Sequence, residues 1–301
     1  MSENEATRCG VVAVIGAPNA GKSTLVNQLV GQKVAITSPK AQTTRARMLG
    51  IALQGHVQMI LVDTPGIFAP KRKLDRAMVS AAWEGAEAAD AVLLLVDPIK
   101  QRRHELEPLL EALANQPERK ILVINKVDAA KKEALLTLAQ ELTGKVDFAE
   151  VFFISALTDD GVPEMAEALA AMMPEGPWHY PEDQVSDASE RLLAAEVTRE
   201  QLYRQLHEEL PYDSVVRPES YQHRPDGSIE IHQQIVVGRE SQRPIVLGKG
   251  GAKIKVIGEA ARKELSEMLG AKVHLFLHVK VSENWAEDRE IFEEIGLDWV
   301  R

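Results

Sequence analysis

The 301-residue sequence predicts an α/β fold, a doubly wound mixed sheet, followed by a smaller α+β domain. Three observations predict it. An apolar run, Val11–Ile15, meets the stretch Gly16-Ala17-Pro18-Asn19-Ala20-Gly21-Lys22-Ser23 and then a helical pattern through Leu25, Val26 and Leu29. Short, nearly continuous apolar runs then alternate with helix-length stretches as far as Met172. That is the pattern of strands buried on both faces and joined by right-handed crossovers. Beyond the proline-rich segment Pro174–Pro181 the order becomes helix, two strands, two helices and a strand.

Composition narrows the class. A hydrophobic content of 45% is ample for packed cores, and no apolar run approaches the roughly 18–20 residues of a membrane span. Met1–Arg8 is polar and acidic, unlike the basic and apolar regions of a signal peptide. A single cysteine, Cys9, excludes an internal disulfide framework and fits a reducing compartment. Its place just before the first strand suits a small buried filler. The net charge of −10 argues against indiscriminate nucleic-acid binding. The charge is uneven, however. Residues 238–280 hold nine Lys/Arg against four Glu, a net of +5, whereas residues 281–301 hold seven acids against Arg289 and Arg301.

The chemistry of Gly16–Ser23 is local. Its G-x-x-x-x-G-K-S spacing between a strand and a helix is that of a phosphate-binding P-loop. Gly16 and Gly21 let the backbone turn tightly and aim successive N–H groups inward, an anion nest at a helix N-terminus. Lys22 is placed to reach the β- and γ-phosphates, and the Ser23 hydroxyl to ligate Mg²⁺.

From Gln32 to Arg47 the chain is polar and irregular. In a P-loop protein such a loop is the place for a mobile switch, here Gln42-Thr43-Thr44-Arg45-Ala46, that supplies a second metal hydroxyl. Thr43 and Thr44 are both candidates, and their adjacency leaves the choice open, with Thr44 preferred. Two strand-like runs, Met48–Leu53 and Val57–Val62, are separated by Gln54-Gly55-His56, which suggests an antiparallel hairpin. The second run ends at Asp63-Thr64-Pro65-Gly66. A carboxylate there can hold Mg²⁺ directly or through water, and the Gly66 N–H can touch the γ-phosphate and sense its loss. Ile67 then stands where many P-loop GTPases carry a glutamine that orients the attacking water. An aliphatic side chain cannot do that, so hydrolysis needs another device or a partner. Asn19 is a candidate for part of that device, because its amide oxygen can hold a monovalent cation near the phosphates. Its other reading is to shape the loop.

A helical stretch near Arg76–Ala88, the run Ala91–Val96, a helix near Glu105–Ala114 and the run Ile121–Ile124 continue the alternation. Ligands of such sheets lie at the carboxyl ends of the strands. Asn125-Lys126-Val127-Asp128 falls there and decides the nucleotide. The Asp128 carboxylate can accept from guanine N1–H and the 2-amino group, and adenine offers neither donor. A buried carboxylate left unpaired by ATP makes the discrimination large. Lys126 can lay its stem over the base, and Asn125 can tie this loop to the P-loop. The run Val151–Ile154 leads to Ser155-Ala156-Leu157, where the Ala156 N–H is expected to reach guanine O6. A helix, Val162–Met172, closes the domain, and Pro174, Gly176, Pro177 and Pro181 make a semi-rigid linker with Trp178 and Tyr180.

In the second domain a helix is expected from about Asp187 to Glu209, with Asp187 as N-cap and Glu190 three residues on. Two β runs, Ser214–Tyr221 and Ser228–Val237, flank the turn signature Arg224-Pro225-Asp226-Gly227. Gly248-Lys249-Gly250-Gly251 is a G-x-x-G loop between a short helical segment and a helix running to about Leu269, and Val273–Val281 closes as a strand. Such a loop lets a nucleic-acid backbone approach closely, with Lys249, Lys253 and Lys255 at hand for its phosphates. The order αββααβ is that of a KH type-2 module.

These residues resemble the Era family of GTPases over essentially the whole chain. The markers are GAPNAGKS, KAQTTR, DTPG, NKVD, SAL, the HEELPY turn and VLGKGGAKIKVIG. The resemblance implies a P-loop GTPase domain over 1–174, a linker over 175–186 and a KH-type RNA-binding domain with an acidic tail over 187–301. It implies a Mg²⁺-dependent, slow GTPase that lacks the catalytic glutamine, with Asn19 at the position linked to K⁺ in related GTPases. It further implies binding near the 3′ end of 16S ribosomal RNA and a role in maturation of the small (30S) ribosomal subunit from its precursor. A cytoplasmic location with peripheral association at the inner face of the cell membrane belongs to the same implication. The rival reading is an RNA-binding scaffold whose guanine-nucleotide site is only structural. A tRNA-modification GTPase would want a catalytic cysteine or cofactor domain instead of G-x-x-G.

Overall fold

The computed structural model describes residues 6–38, 40, 43–68, 70, 72–87, 89–100, 103–207 and 210–300, with the side chains of 103–105 excepted. Gln42 of the expected switch lies outside the described residues, as do Ala88 and Glu209, the expected ends of two helices. The chain divides into two compact units, residues 1–35 with 41–187, and residues 36–40 with 188–301.

The first unit runs β1 (Arg8–Gly16), α1 (Lys22–Val30), β2 (Met48–Gln54), β3 (Val57–Asp63), α2 (Lys73–Glu87), β4 (Ala91–Val96), α3 (Arg103–Ala114), β5 (Arg119–Ile124), α4 (Lys132–Thr143), β6 (Glu150–Phe153) and α5 (Val162–Met172). Its sheet has the order β2-β3-β1-β4-β5-β6. β2 is antiparallel to β3, as the short connection suggests, and every other pairing is parallel. Alternate residues of β1 serve two cores. Val12 and Val14 pack with Leu25, Val26, Met165 and Leu169, on the α1 and α5 side. Ala13 and Ile15 pack with Leu106, Leu110, Leu135 and Leu142, on the α3 and α4 side. Both faces are dry, which is why the strands read as continuous apolar runs.

α4 is an element the sequence reading does not assign. Of its 12 residues only Leu135 and Leu142 are buried, and Lys131 gives it no side-chain cap. Leu135, Leu138, Ala139 and Leu142 nevertheless stand at helical spacing and pack on the core, a signal the sequence carries. The stretch read as a linker is strapped to the first unit. Gln58, fully buried in β3, accepts from the N–H groups of His179 and Tyr180 at 2.9 and 3.0 Å, and its amide donates to the Tyr180 carbonyl at 2.9 Å. Farther on, the Ile51 N–H donates to the Val185 carbonyl at 2.9 Å, and the Ser186 hydroxyl to that of Leu49 at 2.7 Å. Trp178 and Tyr180 pack over Cys9, Leu49, Ile60 and Val62. Cys9 is indeed a buried filler, lying within β1 with its thiol directed at Gln58 Oε1.

The second unit runs α6 (Glu190–Gln205), β7 (Ser214–His223), β8 (Ile229–Val237), α7 (Arg243–Leu247), α8 (Ala252–Met268), β9 (Val273–Val281) and α9 (Arg289–Glu294). The sheet order is β7-β8-β9, the first pair antiparallel and the second parallel. Ile229, Ile231, Ile235 and Val237 of β8 pack with Ala195 and Leu202 of α6 and with Ile257 and Leu265 of α8. The expected cap of α6 is corrected. Ser189, not Asp187, is the N-cap, and its hydroxyl accepts from the Leu192 N–H at 3.2 Å. Asp187 falls in the first unit. Thr37 is held by Glu200 of α6, whose Oε1 accepts from the Thr37 N–H and hydroxyl at 3.2 and 3.3 Å.

Gln58→Leu should destabilise the first unit by about 2 kcal/mol, because two N–H groups lose their buried acceptor. A lower midpoint for that unit in calorimetric melting of the full chain checks it.

Candidate nucleotide site and nucleic-acid interface

β1 ends at Gly16, and α1 begins at Lys22 with Gly21 as its left-handed N-cap (φ 103°). A Cβ at Gly21 would stand 2.2 Å from Asn125 Nδ2, so glycine is needed for both conformation and space. Lys22 is buried, and its ammonium donates to the Gly16 and Ala17 carbonyls at 3.2 and 3.0 Å. Burial pushes its pKa down to about 8, against the opposing pull of Asp63. Pro18 and Asn19 are the outer part of the loop, Asn19 with a left-handed φ of 64°.

One residue past the start of α1, three oxygens converge. Asp63 Oδ2 accepts from the Ser23 hydroxyl at 2.7 Å and from the Thr44 hydroxyl at 3.0 Å, and the two hydroxyls are 2.9 Å apart. Of the adjacent threonines, Thr44 is the one brought to this cluster; Thr43 is half-buried beside it. Arg45 and Ala46 continue into the buried part of the chain. Asp63 Oδ1 is buried with no hydrogen-bond partner among the described residues. Burial raises the Asp63 carboxyl above its ordinary range, with Lys22, Ser23 and Thr44 opposing. A buried carboxylate with a spare oxygen, flanked by two hydroxyls, is a hard all-oxygen donor set that fits Mg²⁺.

The segment after β3 is zipped to the P-loop. The Thr64 hydroxyl donates to the Val14 carbonyl at 2.7 Å, Pro65 is buried, and the Ile67 N–H donates to the Gly16 carbonyl at 3.1 Å. A Cβ on Gly66 would meet Pro18 N at 2.7 Å and Cα at 2.8 Å. The Ile67 side chain packs on the α3 and α4 core and offers no polar atom.

The base-loop residues meet the P-loop at two points. Asn125 is buried; its Nδ2 donates to the Ala20 carbonyl at 2.8 Å, and its Oδ1 accepts from the Ala156 N–H at 2.9 Å. That second bond places the Ala156 N–H, the donor expected to face guanine O6, beside Asn125. Lys126 donates to the Asn19 carbonyl at 2.7 Å and to Asp97 Oδ2 at 2.6 Å. The Val127 N–H donates to the Ile154 carbonyl, and the Ser155 hydroxyl accepts from Thr158 N–H. Asp128 and Leu157 are exposed at the loop tips. Asp97 was missed by the motif reading. Its signal was a carboxylate directly after a buried strand, the same signal that marked Asp63.

In the second unit Gly248, Gly250 and Gly251 all have positive φ (71°, 60° and 80°), and a Cβ at Gly248 would meet Lys253 N at 2.7 Å. Lys249 and Lys255 are exposed, while the Lys253 ammonium donates to the Gln205 carbonyl at 3.4 Å. Beside the loop, Ile254, Lys255, Gly258, Glu259, Arg262, Leu275 and Leu277 line a groove of ≈ 260 Å³, with Lys255 paired to Glu259 at 3.9 Å. An apolar floor with Lys255 and Arg262 on its rim suits unstacked bases and a phosphate backbone.

Fold and site together define a P-loop GTPase joined to a KH module. A family model described as 50S ribosome-binding GTPase matches residues 11–126, and a KH domain model matches residues 209–286. The chain is 81% identical over 299 residues to GTPase Era of Erythrobacter litoralis, covering 98% of each chain. It is 57% identical over 295 residues to GTPase Era of a Bradyrhizobium species, covering 98% of this chain and 96% of the relative. Two solved structures each align with a TM-score of 0.91 at 37% identity, covering 96% of this chain and 99% of theirs. One is Era in complex with MgGDPNP and nucleotides 1506–1542 of 16S ribosomal RNA; the other is an Aquifex aeolicus Era variant bound to GDP·AlF₄⁻. The chain belongs to the Era family of GTPases.

Gly66→Ala should cost about 100-fold in single-turnover GTP hydrolysis, since the new methyl must push the Asp63–Gly66 turn off the P-loop. Nucleotide affinity, read by filter binding, should fall far less.

Proposed function

We propose that this GTPase is a Mg²⁺-dependent switch whose nucleotide state governs engagement of 16S ribosomal RNA, near its 3′ end, by the Gly248–Gly251 loop, in maturation of the small ribosomal subunit. The observation that carries the reading is the whole-length likeness to Era holding both MgGDPNP and a 16S fragment, with a donor set and a basic G-x-x-G loop present in this chain. The working division is 1–174, 175–186 and 187–301.

In this reading Ser23, Thr44 and Asp63 would hold Mg²⁺, which when bound neutralises charge on the β- and γ-phosphates. Lys22 and the N–H groups of the P-loop bind the same phosphates. Gly66, held against Pro18, presents its N–H to the γ-phosphate. Asp128, exposed beside Lys126, accepts from the guanine edge. Ile67 cannot orient water, and Asn19, at the rim of the P-loop, is the ligand proposed for K⁺. Among the described residues no helix is long and apolar enough to cross a membrane. The proposed location, cytoplasmic with surface association at the membrane, rests on the family resemblance alone. The switch reading also has chain continuity behind it. Ile36–Lys40 belongs to the second unit, and Thr44 lies four residues on.

The test is affinity for the 1506–1542 RNA fragment with a GTP analogue, with GDP and without nucleotide. A difference of about tenfold or more between states is expected; equal affinities would overturn the switch. Turnover should be higher in KCl than in NaCl, and Asn19→Ala should remove the difference. Asp128→Asn should weaken GTP and admit xanthosine triphosphate; unchanged GTP affinity would sink the base assignment.

A further inference from the structure

The lysine of the base loop is held by a carboxylate that belongs to none of the motifs. Asp97 directly follows β4 and is 4% exposed. Its two oxygens do different work. Oδ1 accepts from the N–H groups of Ile99 and Lys100 at 2.8 and 3.1 Å, closing the turn that leaves the sheet. Oδ2 accepts from the Lys126 ammonium at 2.6 Å, and that ammonium also donates to the Asn19 carbonyl at 2.7 Å.

Both ends of this bridge rest on unusual backbone. Lys126 and Asn19 have φ of 61° and 64°, and only one other non-glycine residue among those described, Asp159, has a positive φ. Left-handed conformations of ordinary residues persist where neighbouring contacts over-determine them. Here the ammonium is a shared contact, and its position depends on what faces it. Burial pushes the Asp97 carboxyl up, but the hydrogen bonds from Lys126, Ile99 and Lys100 outweigh it and hold the group below the ordinary carboxylate range. The carboxylate is thus a charged, oriented acceptor at neutral pH.

We propose that Asp97 is a positioning residue for nucleotide binding, which fixes Lys126 against the Asn19 carbonyl and so locks the base loop to the phosphate loop. The proposal rests on reading Asn125–Asp128 as the guanine loop. Without the lock, Lys126 is free to swing off the base and Asn19 loses the bond on its carbonyl. Base and phosphate contacts would then no longer be presented as one preformed surface, and bound nucleotide would leave faster.

Asp97→Asn separates this role from the turn. An amide can keep the Oδ1 acceptor for Ile99 and Lys100, but it sets an NH₂ donor against the Lys126 ammonium. In the full chain it should speed release of a fluorescent GDP analogue by about 10- to 100-fold, the range of a charge-assisted hydrogen bond. Asp97→Ser, which can still cap the turn but is too short for Lys126, should do the same. Lys126→Met keeps the stem and removes the ammonium, so adding Asp97→Asn to it should bring little further acceleration. A full-sized additional effect in that background would show that Asp97 acts on the fold and not through Lys126, overturning the proposal. Release within threefold of the unmodified chain in both Asp97 variants would overturn it as well. If Lys126→Met and Asp128→Asn also leave release unchanged, the guanine-loop reading itself fails.

Discussion

The parallel register about β1 is the constraint on which the rest depends. Val14 pairs with Asp63 on one side, Gly16 with Leu95 on the other, and Val96 with Ile124 one strand farther out. The residues that leave these strands, Gly16–Ser23, Asp63–Gly66, Asp97 and Asn125–Asp128, therefore emerge along a single sheet edge. Short side chains suffice to join them. Serine, threonine and aspartate meet without long, entropically costly arms, and asparagine spans from one strand end to the next. Moving one strand by a single residue would turn its inward residues outward and dissolve all of these contacts together.

The packing at that edge is polar where the core below it is apolar, and the two have different physics. Val12, Val14, Ile15 and their neighbours are fully buried and tolerate no solvent. Above them Asp63, Thr64, Asn125 and Asp97 are buried too, and each must be compensated by hydrogen bonds. Most are. Asp63 is the exception, because its Oδ1 lacks a partner among the described residues. Leaving a buried carboxylate partly unsatisfied costs stability; under the proposed Mg²⁺ site that oxygen would meet the cation. The glycines belong to the same logic. At Gly21 a methyl would displace Asn125, and at Gly66 it would displace Pro18, so each marks a place where two loops must touch backbone to side chain or backbone to backbone.

What was legible in the sequence follows from how local each signal is. Gly16–Ser23, Asp63–Gly66, Asn125–Asp128 and Gly248–Gly251 carry their geometry within four to eight residues, and a strand before each of the first three, a short helix before the fourth, fixes its orientation. Asp97 contributes one residue with no companion pattern, and its partner is 29 positions away. Thr43 and Thr44 are identical in type and adjacent, so only coordinates tell which hydroxyl faces Asp63. The strap at 175–186 depends on Gln58, a polar residue inside a strand whose purpose is invisible until the returning chain lies against it. Ser189 and Asp187 are equally good caps by composition; the hydrogen bond to Leu192 N–H decides between them. The groove beside the loop is built from Gly258 on a helix and Leu275 and Leu277 on a strand, a juxtaposition no linear pattern shows.

The C-terminus of α6 is the last piece of the proposed switch. Its final carbonyls accept from two lysines, Lys253 onto Gln205 and Lys40 onto Leu206. Cations are favoured at such an end, where unpaired carbonyls gather partial negative charge. The two lysines belong to different parts of the sequence. Lys253 lies two residues beyond Gly251, and Lys40 lies four residues before Thr44. One helix end thus accepts from a lysine beside the G-x-x-G loop and from a lysine far earlier in the sequence.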